Sequence, residues 1–340
     1  MQTIIIVGFG FMGGMHAQVY SKLSRAKLVA VVDSNEANAK ANLKQLGLGV
    51  PVYADLDEAL AKHRADVVDI CLPTPAHAEF VRRALRAGKD VFCEKPFAAS
   101  HREALALATA AERAGRKIQV GQCVRFWPEY QAFFDFVRTG RAGRLLSLSM
   151  QRRSGRPTYS MGDWLNQGRL SGGAALDLHI HDTDFVHHLL GRPDAVTSVG
   201  TKDATGWSHI FTTYHFPGTA VTAEGGWNYP SHWGFQMAFQ AVCERGTVEY
   251  DSAATPTLVA ILKRGAKRPL AFREPRAGRS ASGVGNVSTL GGYFNELKYF
   301  VDCLERGQAP KLATPRQAAE SVRTVLAEIR SAASGRTVKL

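Results

Sequence analysis

Gly8-Phe9-Gly10-Phe11-Met12-Gly13 sits between a β-branched run at residues 3–7 and a stretch at 13–23 that reads as a helix. Glycine-rich turns are common, but this G-x-G-x-x-G follows a strand and opens a helix at the start of a βαβ unit. In that setting Gly8 makes the tight turn, and Gly10 lets the backbone approach a pyrophosphate. Gly13 lets helix and strand pack closely, with the amino end of the helix facing the anion. Asp33 lies twenty residues after Gly13, at the end of a second strand. An acidic residue there accepts hydrogen bonds from the adenosine ribose and repels a 2′-phosphate. The expected cofactor is NAD in preference to NADP, although Ser34 and Lys40 are near enough in sequence to assist a phosphate. The plainer reading is a βα turn with an incidental aspartate.

The rhythm around the loop agrees with the fingerprint. Strand-like runs at 28–32, 67–72, 89–93 and 117–120 alternate with helical stretches at 35–46, 77–87 and 103–114. That predicts an α/β Rossmann domain, a doubly wound parallel sheet, over residues 1–121. After Gly121 the texture changes. Strands are expected at 145–151, 197–199, 209–216, 219–224, 235–241 and 247–250, with helices at 129–138 and 176–190. Residues 122–340 are therefore read as an α+β domain with a large, open, mostly antiparallel sheet for substrate binding and oligomerisation. Residues 264–288, rich in Arg, Gly, Ser and Pro, read as a long loop, and Gly283-Val284-Gly285 within them as a turn. Helices at 293–305 and 316–334 close the chain, with the option of packing back on the first domain.

Composition narrows the class. In 340 residues, 45% are apolar and 21% charged, which excludes a disordered chain. No stretch nears the roughly 20 apolar residues of a membrane span. The net charge of +12 is scattered and accompanies no nucleic-acid-binding motif, so it favours solubility and anionic small ligands. Five widely spaced cysteines without a CxxC pair suggest neither a disulfide framework nor zinc. The amino terminus lacks the positive region of a signal peptide. A cytoplasmic protein that uses neither nucleic acid nor membrane is expected.

Two further segments carry chemistry. Cys71-Leu72-Pro73-Thr74-Pro75-Ala76-His77-Ala78-Glu79 leads through Ala87-Gly88-Lys89-Asp90-Val91 to Glu94-Lys95-Pro96. Later comes Ser171-Gly172-Gly173-Ala174-Ala175-Leu176-Asp177-Leu178-His179-Ile180-His181-Asp182-Thr183-Asp184. Together with Asn295-Glu296-Leu297-Lys298-Tyr299-Phe300 near the end, this pattern resembles the glucose–fructose oxidoreductase and inositol dehydrogenase family, Gfo/Idh/MocA, over almost the whole chain. The resemblance implies NAD(P)-dependent oxidation or reduction of a sugar, cyclitol or related polyol. It implies Lys95, Asp177 and His181 as the catalytic set, and a homodimer or homotetramer.

Residue chemistry points the same way. Oxidising a secondary alcohol needs a base for the hydroxyl proton while hydride leaves carbon. Asp177 and His181 are four apart, so on the expected helix they share a face that Asp184 continues. Asp177 would orient the His181 ring and stabilise its charged form. Lys95, at the end of a parallel strand, would steady alkoxide character. The expected cofactor contacts are residues 8–13, Asp33, Ser34, Leu72, Pro73, Thr74, His77, Glu94, Lys95 and Pro96. The expected substrate contacts are Lys95, Arg125, Trp164, Asp177 and His181.

Plainer readings stand beside these. Lys95-Pro96 would merely end a strand, and His181 would be a satisfied core histidine. His179 and His181 diverge on a helix, so no metal is expected. His77 is expected to pack beside the cofactor, and His187-His188 to be surface residues serving the helix dipole. Of Trp127, Tyr159, Trp164, Trp207, Trp227 and Trp233, all placed in the second domain, most read as core and one or two as lining a sugar-sized cleft. Two other functions share this architecture: a redox-neutral NAD-dependent glycoside hydrolase or eliminase, and a non-enzymatic sugar sensor.

Overall fold

The structure, a computed structural model, describes residues 1–263, 265–275 and 290–340. Residues 264 and 276–288 of the expected loop, with the Gly283-Val284-Gly285 turn, lie outside the described residues. The chain divides into two compact units. One comprises Met1–Cys123, Tyr159–Trp164 and Pro275–Ala319, and the other Val124–Thr158, Leu165–Glu274 and Glu320–Leu340.

The first unit winds strand and helix in turn: β1 (Gln2–Val7), α1 (Phe11–Tyr20), β2 (Ala26–Val32), α2 (Glu36–Gln45), β3 (Val52–Tyr53), α3 (Leu56–Lys62), β4 (Val67–Ile70), α4 (Thr74–Arg86), β5 (Asp90–Glu94), α5 (His101–Ala114) and β6 (Ile118–Gly121). All strand pairs are parallel, in the order β3-β2-β1-β4-β5-β6. The order reverses between β1 and β4, the place where doubly wound sheets open a ligand crevice at the carboxyl ends of their strands. Ile4, Ile5 and Ile6 are fully buried because apolar side chains cover both faces of the sheet. Helix ends are set locally. Ser100 accepts from the Glu103 N–H to start α5, and Gly115 closes it at φ 61°. β3 and α3 were not expected. They are two and seven residues long, too short for periodicity to register, although Asp55 caps α3 by accepting from the N–H groups of Asp57 and Glu58.

The second unit contains α6 (Pro128–Arg138), β7 (Leu145–Gly155), α7 (Gly168–Ser171), α8 (Gly173–Asp177), α9 (Ile180–Leu190), β8 (Ala195–Asp203), β9 (Gly206–Phe216), β10 (Thr219–Tyr229), β11 (Phe235–Cys243), β12 (Gly246–Asp251), β13 (Leu258–Leu262) and β14 (Arg268–Pro269). Helices α10 (Gly291–Glu305) and α11 (Pro315–Ser334) follow, then β15 (Val338–Lys339). In the first unit, α10 sets Leu297, Phe300, Val301 and Leu304 against Ile4, Ile6 and Phe92. Each such buried side chain contributes about 1.5–3 kcal/mol. The sheet of the second unit runs β14-β13-β12-β11-β7-β10-β9-β8-β15, antiparallel throughout except for the parallel pair β7 and β10.

One expectation changes here. The helix foreseen over 176–190 is broken: α8 stops at Asp177 and α9 starts at Ile180. Between them the His179 N–H bonds the Ala174 carbonyl at 2.8 Å, and the His179 ring turns into the core. There its Nε2 lies 3.0 Å from Glu328 Oε2, and a Cβ on Gly225 of β10 would come within 2.6 Å of the ring. Glycine at 225 thus leaves the room that this histidine fills. The apolar residues of β9 to β11 alternate between the two faces of the sheet. Ile210, Tyr214, Val221 and Phe239 point inward, leaving Thr213, His215, Thr222 and Gln240 exposed with Phe211 and Val242. Strand alternation, invisible in a count of apolar residues, makes the outer face largely polar.

Candidate functional site

In the first unit the loop after β1 behaves as its glycines require. Gly8 adopts φ +88°, and a Cβ there would lie 2.6 Å from the Cys71 carbonyl. A Cβ on Gly13 would sit 2.1 Å from the Gly8 carbonyl, so helix and turn touch backbone to backbone. Gly10 differs: a Cβ there would meet nothing within 4 Å. Among the described residues its glycine answers no neighbour and leaves an open approach to the backbone. α1 starts at this residue with no side-chain cap and no acid in its first turn, so its amino end keeps its attraction for an anion. Asp33 is 5% exposed and accepts from the Phe9 N–H at 2.7 Å and the Asn35 N–H at 2.8 Å. Its carboxylate is thereby tied to the glycine loop.

The remaining expected cofactor residues gather on the ends of β4 and β5. Leu72 and Pro73 lead into α4, which has no side-chain cap and no acid in its first turn. The buried Thr74 hydroxyl at that end has no hydrogen-bond partner among the described residues. His77 is buried, with Nδ1 2.8 Å from the Pro96 carbonyl and Nε2 2.8 Å from the Leu72 carbonyl. Burial pushes its pKa below the ordinary value against the pull of those carbonyls. His77 therefore ties the loop after β4 to the Glu94-Lys95-Pro96 segment. The open cradle at Gly10, the two uncapped helix ends and the orphaned Thr74 hydroxyl fit a dinucleotide.

Three residues that sequence reasoning passed over lie behind this loop. His16 of α1, Asp69 of β4 and Tyr20 are fully buried together, and His16 Nδ1 is 2.8 Å from Asp69 Oδ2. The signal was present: Asp69 interrupts an otherwise apolar strand run, and His16 falls three residues after Gly13. Tyr159 was expected in the second domain. It groups with the first unit, where its ring lies 5.3 Å from that of Phe11 in the glycine loop. Trp164, partly exposed, belongs to the same unit.

In the second unit the Asp177–Asp184 segment separates into two sets. Asp177, the last residue of α8, and His181, in the first turn of α9, are both partly exposed, so His181 is no core histidine. His179, Asp182 and Asp184 are buried. Asp184 does not continue the Asp177–His181 face. It binds Arg125 through two contacts, Nε to Oδ2 at 2.6 Å and Nη2 to Oδ1 at 2.7 Å, and Ser321 donates to it at 2.8 Å. Arg125, expected to touch substrate, is 3% exposed and holds this internal pair instead. Asp182 holds Arg152 in the same bidentate manner. His187 and His188 are not dipole charges either. Burial lowers both to about 4, so they are neutral at pH 7: His187 bonds Thr324 at 3.0 Å and His188 stacks on Phe134. Trp227 is core, its indole N–H donating to Thr205 at 3.0 Å, while Trp233 is 49% exposed.

The fold and the glycine loop define an NAD-binding-type Rossmann unit joined to a second unit with a mostly antiparallel sheet. Residues 2–122 match the oxidoreductase family model with an NAD-binding Rossmann fold, and residues 130–249 match the GFO/IDH/MocA C-terminal domain. The chain belongs to the Gfo/Idh/MocA family. It is 30% identical over 240 residues to 2,7-anhydro-N-acetylneuraminate hydratase from Escherichia coli (strain K12), covering 67% of this chain and 63% of that protein. It is 34% identical over 194 residues to inositol 2-dehydrogenase from Rhizobium meliloti (strain 1021), covering 57% and 56%. The chain thus spans less than two thirds of the length of these curated relatives. Among solved structures, GenD2 from gentamicin A biosynthesis in complex with NAD superposes with a TM-score of 0.82 at 27% identity, covering 100% of this chain and 96% of that one.

Proposed function

We propose that the protein is an NAD-dependent oxidoreductase that transfers hydride between nicotinamide and a secondary alcohol of a sugar, cyclitol or related polyol. The observation that carries this reading is Gly10: an open backbone at an uncapped helix end, beside the Asp33 carboxylate. Residues 8–13, Asp33, Ser34, Leu72, Pro73, Thr74, Glu94 and Lys95 hold the cofactor, with His77 and Pro96 fixing the loops around them. Bound NAD supplies the hydride acceptor. His181 takes the hydroxyl proton, Asp177 orients the ring and stabilises its charged form, and Lys95 steadies negative charge on the reacting oxygen. Trp164 offers an apolar ring face to the sugar. The inositol 2-dehydrogenase relative and the NAD complex of GenD2 support the substrate class and the cofactor. The test is a screen of inositols, sugars, sugar acids and glycosides for NADH production, with NAD and NADP titrated separately. Reduction of NAD by at least one polyol is expected, with tighter binding of NAD than of NADP.

The hydratase relative favours a second reading, in which NAD is reduced only transiently and the net reaction is redox-neutral. Substrate turnover without net NADH would select it. We further propose cytoplasmic function, suited to five free thiols, and a homodimer or homotetramer formed through the open face of the nine-stranded sheet, where Phe211 and Val242 stand exposed among polar side chains. A monomeric mass by light scattering at micromolar protein would exclude the oligomer.

A further inference from the structure

The helix and strands that bear the expected cofactor loops meet in one buried cluster. His16 Nδ1 lies 2.8 Å from Asp69 Oδ2, and its Nε2 lies 3.2 Å from Glu94 Oε1. Tyr20 donates to the same Asp69 oxygen at 2.9 Å. The second Glu94 oxygen, Oε2, accepts from the Lys95 backbone N–H at 3.0 Å. His16 and Asp69 are fully buried and Glu94 is 6% exposed. Nε2 and Glu94 Oε1 are buried with no hydrogen-bond partner among the described residues, so their 3.2 Å approach is an ion-pair contact, favourable only while the ring carries its imidazolium charge. Burial opposes that charge, but the Asp69 carboxylate beside it raises the ring well above its ordinary pKa. Burial also works against the Glu94 charge, yet its contacts with His16 and Lys95 hold its carboxyl below the usual range. On another side a Cβ at Gly121 would come within 3.0 Å of the Glu94 carboxylate, so bare backbone bounds it there.

We propose that His16 is a positioning residue for Lys95: it clasps one oxygen of Glu94 while the other receives the Lys95 N–H, fixing where β5 delivers the lysine. The proposal rests on Lys95 being the catalytic lysine of the function proposed above. It gives the surplus carboxylates a purpose, since Glu94 stays charged and oriented only while His16 faces it. The cluster also brings His16, Asp69 and Cys71 within 4.8 Å of one another, a metal-like grouping. Burial, with Asp69 beside it, pushes the Cys71 thiol up.

The test compares the parent with His16→Gln, which keeps a donor but not the charge, and Gly121→Ala, which crowds Glu94 without altering a titratable group. Each is read in three ways: NAD binding by fluorescence, kcat with the best polyol, and the rate at which an amine-reactive reagent labels the Lys95 nitrogen, mapped by mass spectrometry. Both variants are expected to bind NAD like the parent, to lose about 10–100-fold in kcat, and to label faster at Lys95. A variant that only melts earlier, with parental labelling and kcat, overturns the proposal, as does a stoichiometric metal in the purified parent. Faster Lys95 labelling in both variants, with a parent that reduces no NAD, would uphold the clasp and refute the catalytic reading.

Discussion

His16 of the first unit faces two carboxylates, Asp69 and Glu94, whereas in the second unit Arg125 faces Asp184 and Arg152 faces Asp182, each through two bonds. The charges are equally buried, but their stoichiometry differs. A planar guanidinium and a carboxylate satisfy each other, so the pairs of the second unit are complete within the fold. One imidazolium between two carboxylates leaves negative charge over, close to the lysine and to the loops that fit a dinucleotide. The pairs of the second unit close on themselves, whereas the cluster of the first adjoins the segment that carries Lys95.

The largest effects test that division at the reactive groups. Lys95→Ala and His181→Ala should each lower turnover by roughly 10²–10⁴-fold while NAD still binds, because the first loses the charge that steadies the reacting oxygen and the second the positioned proton acceptor. Asp177→Asn should cost less than His181→Ala, since the amide still orients the ring. In the oxidative direction turnover should rise with pH as the base sheds its proton, and His181→Ala should lose or displace that limb. Retention of the limb would make His181 structural and direct the search for the base to Lys95.

Next comes the scaffold pair. Arg125→Ala should destabilise the protein by about 3–5 kcal/mol, measured by chemical denaturation, because Asp184 would remain buried without its partner. An unchanged midpoint would return Arg125 to the substrate contacts and blur the contrast between the units.

How far the sequence revealed these two regions follows from the range of the signals involved. The glycine loop, Asp33 and the Glu94-Lys95-Pro96 segment are local patterns in a strand–helix rhythm, and each lies on the expected element. The break between α8 and α9 depends on Glu328 and on the space left by Gly225, both distant in the chain. Likewise nothing near Arg125 indicated Asp184, fifty-nine residues away. A four-residue spacing put Asp177 and His181 on one face of one helix, but it could show neither the break between them nor which acids turn inward. His16 and Asp69 were legible in part, as polar residues in apolar company, yet their partnership spans fifty-three residues.

Smaller effects sharpen the account of each unit. Gly10→Ala should fold like the parent, since a Cβ there meets nothing within 4 Å, but should weaken NAD roughly tenfold by filling the approach to the backbone. Equal NAD affinity would remove the main support for the cradle. Asp33→Ala should narrow the preference for NAD over NADP through loss of ribose hydrogen bonds and of repulsion towards a 2′-phosphate.

The smallest expected effect is acid sensitivity in the second unit. His187 has a folded value of about 4 against an ordinary 6.5, so between those limits the unfolded chain takes up a proton that the folded protein refuses. Stability should therefore fall as pH drops through that window. His187→Gln, able to keep the Thr324 bond, should flatten the fall in melting temperature. An unchanged slope would mean that other groups set it.

The most direct test of the central claim follows NADH and substrate together in one reaction, with excess NAD and the polyol that the screen finds best. Hydride transfer as the net reaction predicts one NADH for each alcohol oxidised, with the ketone as product. Substrate consumed without accumulating NADH, giving a dehydrated or hydrolysed product, would contradict it.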